Sequence, residues 1–178
     1  MNETLLYIIK NPKKEKHEQY KHKCIKDYSL YIQYNKDIEI LKNENGKPYI
    51  KDNPFYFNIS HSHDYYLIVC SCFPIGIDIE KRKERNYRLL AKRYYTSSEQ
   101  EYVDKNGKQG FFDIWSMKES YTKYLGETII QNLHTNMVNN TTLITNINDI
   151  MFIPISIDNE YSCYITTNHQ ITIKEIYL

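Results

Sequence analysis

After Pro74 the chain reads Ile75-Gly76-Ile77-Asp78-Ile79-Glu80. In an extended strand, residues i and i+2 share a face, so the three isoleucines turn one way and the two carboxylates the other. A strand of this kind needs an apolar layer against its isoleucine side and brings Asp78 and Glu80 together on the opposite side. Two carboxylates at that spacing suit a hard cation such as Mg²⁺, which takes oxygen ligands and keeps waters and phosphate oxygens in its shell. An ordinary solvent-facing strand carrying two acids is the competing reading.

Strand and helix patterns fill the rest of the chain. Residues 5–10 read as a first strand, and 12–34 as a basic helix with its apolar face at Tyr20, Cys24, Ile25 and Tyr28. Residues 37–41 alternate polar and apolar, Asn45-Gly46 is a hairpin-type turn, and Lys47-Pro48-Tyr49 leads out of it. Strands are expected at 56–60 and 65–72, ahead of the break at Pro74. After 75–80 a helix is expected over 86–95. Another should be capped by Ser97 or Ser98, since Glu101 stands three residues after Ser98. A turn at 107–110 then leads into a helix over 111–125, which Gly126 stops. Strand patterns at 141–147, 150–157, 160–167 and 170–177 follow, with Asp158-Asn159 as a turn. The predicted class is α+β, with antiparallel hairpins and helices packed on one face. The repeated pattern suggests two similar α/β units, 1–74 and 75–178.

A chain of 178 residues with 41% hydrophobic side chains can bury a real core, and five Gly and five Pro are too few for a collagenous or low-complexity chain. The net charge of +1 argues against a generic nucleic-acid coat, but it conceals an uneven distribution. Residues 10–26 hold seven Lys against two Glu, and residues 81–93 hold seven Lys or Arg against one Glu. From Glu127 onward there are five acids and one base, Lys174. All four arginines, Arg82, Arg85, Arg88 and Arg93, lie in the second basic block. Arginine is the better residue for bidentate recognition of carboxylate and phosphate, although a solvated helix face is the plainer explanation.

Cys24, Cys70, Cys72 and Cys163 form no CxxC pair, which fits a reducing compartment. The apolar run 5–9 is too short for a signal peptide, and no run approaches a membrane span. The expectation is a cytoplasmic monomer with no nucleic-acid or membrane partner.

On the helix over 111–125, Glu119 and Lys123 stand four apart and share a face with Phe112 and Ser116. Taken alone, such a pair is most often a surface ion pair. If Glu119 packs over Asp78 and Glu80, each close pair of carboxylates repels by about 4 kcal/mol at an effective dielectric near 20, and a cation or bound protons must compensate. His61, with Ser60 and Ser62 on either side, offers hydrogen-bond donors to an anionic group. Two zinc ligands at His61 and His63 are the alternative.

Taken in order, Lys47-Pro48, Phe57-Asn58-Ile59-Ser60-His61-Ser62, Gly76-Ile77-Asp78-Ile79-Glu80 and Trp115-Ser116-Met117-Lys118-Glu119-Ser120 with Lys123 resemble the signature of the 4'-phosphopantetheinyl transferases, in the Sfp-like branch. The matching stretch runs over about 46–126. The resemblance implies a pseudo-dimer of two similar α/β subdomains with coenzyme A bound between them. It also implies transfer of the 4'-phosphopantetheine arm of coenzyme A to a serine of an apo acyl or peptidyl carrier protein, releasing adenosine 3',5'-bisphosphate. By position, Asp78, Glu80 and Glu119 would hold Mg²⁺ or Mn²⁺ on the pyrophosphate. Gly46, Lys47 and Pro48 would lie along the adenine, Ser60 and His61 would hold the 3'-phosphate, and Lys123 would contact the pyrophosphate. Glu119 would also orient or deprotonate the attacking serine. Relatives bring Lys and Arg from the first helical region to the 3'-phosphate. Here Lys16, Lys21 and Lys23 are available, and no Arg. Because carrier proteins are acidic, Arg82, Arg85, Arg88 and Arg93 become a docking surface for one. Two other readings use the same residues: a Mg²⁺-dependent nuclease or phosphohydrolase, and a non-catalytic carrier-binding module.

Overall fold

The apolar run at the N-terminus does not alternate because it is covered on both faces. In the computed structural model, which describes residues 3–178, it forms β1 (Glu3–Lys10), with Leu5 to Ile9 all buried. Beside it lie β5 (Tyr65–Ser71) and then β4 (Tyr56–Ser62), both antiparallel, and on its other edge β12 (Thr172–Tyr177), parallel. One face of this sheet, with Leu5, Tyr7, Ile9, Phe57 and Ile68, packs on Cys24, Ile25 and Tyr28 of α1 (His17–Tyr31). The other face presents Leu6, Ile8, Leu67 and Val69.

That second face meets Ile75 together with Ile77 and Ile79 of β6 (Gly76–Lys81), so the isoleucine side of the acidic strand is the side that buries. β6 is the edge of a second sheet, continued antiparallel through β11 (Tyr161–Thr167), β10 (Ile150–Pro154) and β9 (Asn146–Ile147). The outer face of this sheet is covered by α2 (Tyr87–Tyr94) and α3 (Ser97–Leu125), whose Phe111, Ile114 and Met117 pack with Phe152 and Tyr164. The layers therefore run helix, sheet, sheet, helix, in a mixed α+β fold. Smaller elements complete it: a hairpin of β2 (Ile40–Lys42) and β3 (Pro48–Ile50), the short α4 (Ile129–Asn132), and a ribbon of β7 (Val138–Asn139) and β8 (Thr142–Leu143). No helix among the described residues is long and apolar enough to cross a membrane.

Several elements differ from expectation. The first helix is shorter than 12–34: a 3-10 turn at Lys14–Lys16 precedes α1, and Gln33 at φ 59° ends the helical path. The cap of α3 is Thr96 rather than Ser97 or Ser98, in a reciprocal capping box with Glu99. The turn expected at 107–110 shrinks to a break at Gly107, φ 63°, inside one long helix, and Gly110 lies within the helix against Tyr102 and Asn106. The strand expected at 141–147 divides into β8 and β9, which pair with different partners. The last strand pattern does not extend the second sheet. As β12 it crosses back to pair with β1, a long-range pairing that no local pattern encodes.

Candidate functional site

The two sheets meet along a seam where their edge strands, β4 and β6, run side by side. No backbone ladder joins them. Instead, alternate side chains of β4 take the outward N–H groups of β6: Ile77 N donates to Asn58 Oδ1 at 3.1 Å, Ile79 N to Ser60 Oγ at 3.1 Å, and Lys81 N to Ser62 Oγ at 3.0 Å. Each edge donor is thereby satisfied.

α3 lies over this seam because Gly76 has no side chain. A Cβ there would fall inside the backbone of Ser120 and Tyr124. The close approach sets Lys123 on Asp78: Nζ donates to Asp78 Oδ1 at 2.8 Å and to Ser60 Oγ at 3.1 Å, while Ser60 Oγ donates to the same carboxylate oxygen at 2.9 Å. Asp78 is only 4% exposed, and its second oxygen, Oδ2, is buried with no hydrogen-bond partner among the described residues. Such an orphaned oxygen is costly unless a cation or donor meets it.

The neighbouring acids feel the same burial. Burial, with the Asp78 carboxylate beside it, pushes Glu80 up to about 7, although Ser62 Oγ donates to it at 3.3 Å. Burial, and then the charge of Asp78, raises Glu119 as well, with Lys123 opposing. Among the described residues, no three His, Cys, Asp or Glu side chains gather into a ready-made metal cluster. The donor set still fits a Mg²⁺-type ion, which binds through one or two carboxylates plus waters and phosphate oxygens. Hard oxygens, an unpartnered Asp78 Oδ2 and two carboxyls raised by burial and then by the charge of Asp78 suit such a cation.

The remaining site residues divide between two places. Lys47 and Pro48 line a cavity of about 320 Å³ with Phe57, Ile75, Tyr124 and Gly126, between the β2–β3 hairpin and the end of α3. The hairpin is clamped there by donors to the last helical carbonyls and the turn: Lys47 Nζ to Lys123 O, and Asn43 and Asn45 Nδ2 to Gly126 O at 3.2 and 2.9 Å. These donors suit the negative end of a helix. Burial lowers the Lys47 ammonium to about 8. Gly46, at φ 79°, shapes the turn and does not line the cavity.

Strand alternation separates Ser60 from His61. The Ser60 hydroxyl is consumed in the seam, whereas the exposed His61 faces the start of α1, with its ring centroid 5.7 Å from that of His17. His17 stacks on Tyr66 at 4.2 Å, and burial, followed by His61 and Lys14, lowers its pKa. His17 was not anticipated, since a histidine beginning a lysine-rich helix carries no local signal of what it will face. Of the lysines considered in that helix, Lys21 pairs with Glu18 at 2.5 Å.

Arg82 does not belong to an open docking surface. Its guanidinium is folded inward, donating to Ser162 Oγ at 3.0 Å, Asn159 O at 3.1 Å and Tyr161 O at 2.7 Å. Arg85, Arg88 and Arg93 are exposed, and Leu89 stands among them at 64% exposure.

The two sheets thus meet in a seam where Lys123 sits on the buried Asp78, with Glu80 and Glu119 half-buried beside it, next to a cavity lined by the β2–β3 hairpin and the end of α3. Residues 74–173 match the family described as ACPS, the 4'-phosphopantetheinyl transferase superfamily, and the chain belongs to it. It is similar to 4'-phosphopantetheinyl transferase Sfp of Bacillus subtilis, 35% identical over 146 residues, covering 71% of this chain and 64% of that one. It is similar also to 4'-phosphopantetheinyl transferase gsp of Aneurinibacillus migulanus, 36% identical over 99 residues, 52% of this chain and 40% of that one. A third relative, 4'-phosphopantetheinyl transferase ffp of Bacillus subtilis, is 40% identical over 107 residues, 56% of this chain and 46% of that one. The chain thus spans 40–64% of the length of these relatives.

Proposed function

We propose that this chain transfers the 4'-phosphopantetheine arm of coenzyme A to a serine hydroxyl of an apo acyl or peptidyl carrier protein, releasing adenosine 3',5'-bisphosphate. The observation that carries the reading is the Asp78–Lys123–Ser60 network, with Glu80 and Glu119 crowded beside it and one Asp78 oxygen unpartnered. Asp78, Glu80 and Glu119 would hold Mg²⁺ or Mn²⁺, which when bound offsets negative charge on the pyrophosphate. Lys123 would leave Asp78 for a pyrophosphate oxygen and stabilise the charge that develops as the bond to phosphorus breaks. Glu119, its carboxyl raised by burial, accepts the proton of the incoming serine. Lys47 and Pro48 would flank the adenine in their cavity, with Gly46 shaping the turn above it. His61 would meet the 3'-phosphate with its partner His17.

The acidic carrier would dock on α2, where Leu89, Arg88 and Arg93 are exposed, with Arg85 exposed just before the helix. A lone apolar side chain among arginines suits an acidic helix with an apolar tip. The two subdomains, 1–74 and 75–178, would each give one strand to the seam. The four cysteines are all unpaired, which suits the cytoplasm.

Incubation with coenzyme A, Mg²⁺ and an apo carrier protein should add the phosphopantetheine mass to the carrier. Asp78→Ala should abolish that gain while the circular dichroism spectrum is retained. No gain on several carriers, together with cleavage of DNA or RNA, would replace this reading with a nuclease.

A further inference from the structure

The seam holds a device of which the catalytic reading uses only the Ser60 part. β4 places Asn58, Ser60 and Ser62 at alternate positions along one face, all three buried, and each takes one edge N–H of β6. The two serines do more than the asparagine. Ser60 Oγ accepts from Ile79 N and donates to Asp78, the residue just before Ile79. Ser62 Oγ repeats this one register on: it accepts from Lys81 N and donates to Glu80, the residue just before Lys81. A hydroxyl can do both because it carries one donor and two acceptor sites. Asn58 stands opposite Gly76-Ile77, where there is no carboxylate, and there an amide oxygen that only accepts is sufficient.

We propose, on the basis of the transfer reading above, that Ser62 is a positioning residue for the cation site. It ties the Glu80 carboxylate to the β6 backbone, so that Glu80 is presented at a set distance from Asp78, as Ser60 does for Asp78. The alternative is that Ser62 only closes the seam between the sheets. Closing the seam requires an acceptor for Lys81 N alone. Positioning Glu80 requires a hydroxyl proton as well. Partners that orient metal-binding carboxylates in this way govern metal affinity without touching the metal.

The test uses the full chain with coenzyme A and Mn²⁺ as the probe, following free Mn²⁺ by electron paramagnetic resonance and thermal unfolding separately without metal. Ser62→Ala should weaken Mn²⁺ binding roughly tenfold, and Ser62→Thr, which keeps the hydroxyl, should stay within about twofold of wild type. Ser62→Cys keeps a single γ atom, somewhat larger than oxygen, but hydrogen-bonds weakly, and it should weaken Mn²⁺ binding as Ser62→Ala does, so the proposal stays open to test if the alanine variant does not fold. If alanine or cysteine lowers the unfolding temperature but leaves Mn²⁺ affinity unchanged, or if threonine weakens it as much as alanine does, the proposal is overturned. Wild-type protein that binds Mn²⁺ but modifies no carrier would remove the transfer reading alone. Wild-type protein that binds no Mn²⁺ would remove both.

Discussion

Asp78 and Lys47 show how the same physics produces opposite kinds of group at one site. Asp78 is buried with the Lys123 ammonium at 2.8 Å and the Ser60 hydroxyl at 2.9 Å on one oxygen, partners that offset the cost of burying it. Lys47 is half-buried against the Lys123 and Tyr124 carbonyls, with no carboxylate in ion-pair contact among the described residues, and burial lowers its ammonium from 10.5 to about 8. The sign of the consequence follows from linkage. The unfolded chain keeps this proton up to the ordinary lysine range, and the folded chain releases it near 8, so the folded state gains as pH rises between those values. In urea titrations, wild type should gain stability relative to Lys47→Met as pH rises from about 7.5 to about 10. A constant difference would mean that the Lys47 charge is not suppressed. At this scale the sequence named most of the participants: Asp78, Glu80, Glu119, Lys123, Ser60 and Lys47. It could not show that Ser60 and His61 turn to opposite sides, because that depends on which face of β4 meets β6.

Among the elements, α3 carries the most consequences. Its two parts, separated at Gly107, are tied by Lys118, fully buried, whose ammonium meets Glu99 at 2.8 Å and Leu133 O at 2.8 Å. Glu99 in turn accepts from Met137 N at 2.9 Å and from Thr96 N at 2.9 Å. Removing one member of a buried pair leaves the other charge uncompensated, so Glu99→Ala should cost about 3–5 kcal/mol in denaturant unfolding. A loss within about 0.5 kcal/mol, the range of an ordinary surface change, would contradict the pairing. Gly76→Ala acts at the other face of the helix. It would push Ser120 and Tyr124 away from β6 and with them Lys123 from Asp78. Transfer should fall by far more than the accompanying drop in unfolding temperature explains, and a variant with wild-type kcat would refute the close-packing account. The sequence announced this helix through its apolar spacing and the Gly126 stop. It concealed the Thr96 cap, because three hydroxyl residues in succession, Thr96, Ser97 and Ser98, are equally good caps locally and only one is fitted by the chain that precedes it.

At the scale of the whole molecule, charge is sorted by surface. Arg82 is spent inside, holding the 159–162 segment, and Arg85, Arg88 and Arg93 remain exposed. Charge reversal at Arg85 and Arg88 should raise the KM for carrier protein about tenfold or more, and the effect should shrink as salt rises, while coenzyme A affinity stays at its wild-type value. An unchanged carrier KM would move docking to another face. What the sequence determined by itself was local and periodic: the strand that separates isoleucines from acids, the helix that carries Glu119 and Lys123, and the set of chemical groups that marks the family. What only the tertiary structure decided was which edges meet. β12 returns to β1 across the length of the chain, β4 lies against β6 through side chains rather than a ladder, and His17 comes to His61. Periodicity records which side of an element is apolar, and many pairings satisfy it. The choice among them is made by close packing between residues far apart in sequence, such as the missing side chain of Gly76 under α3.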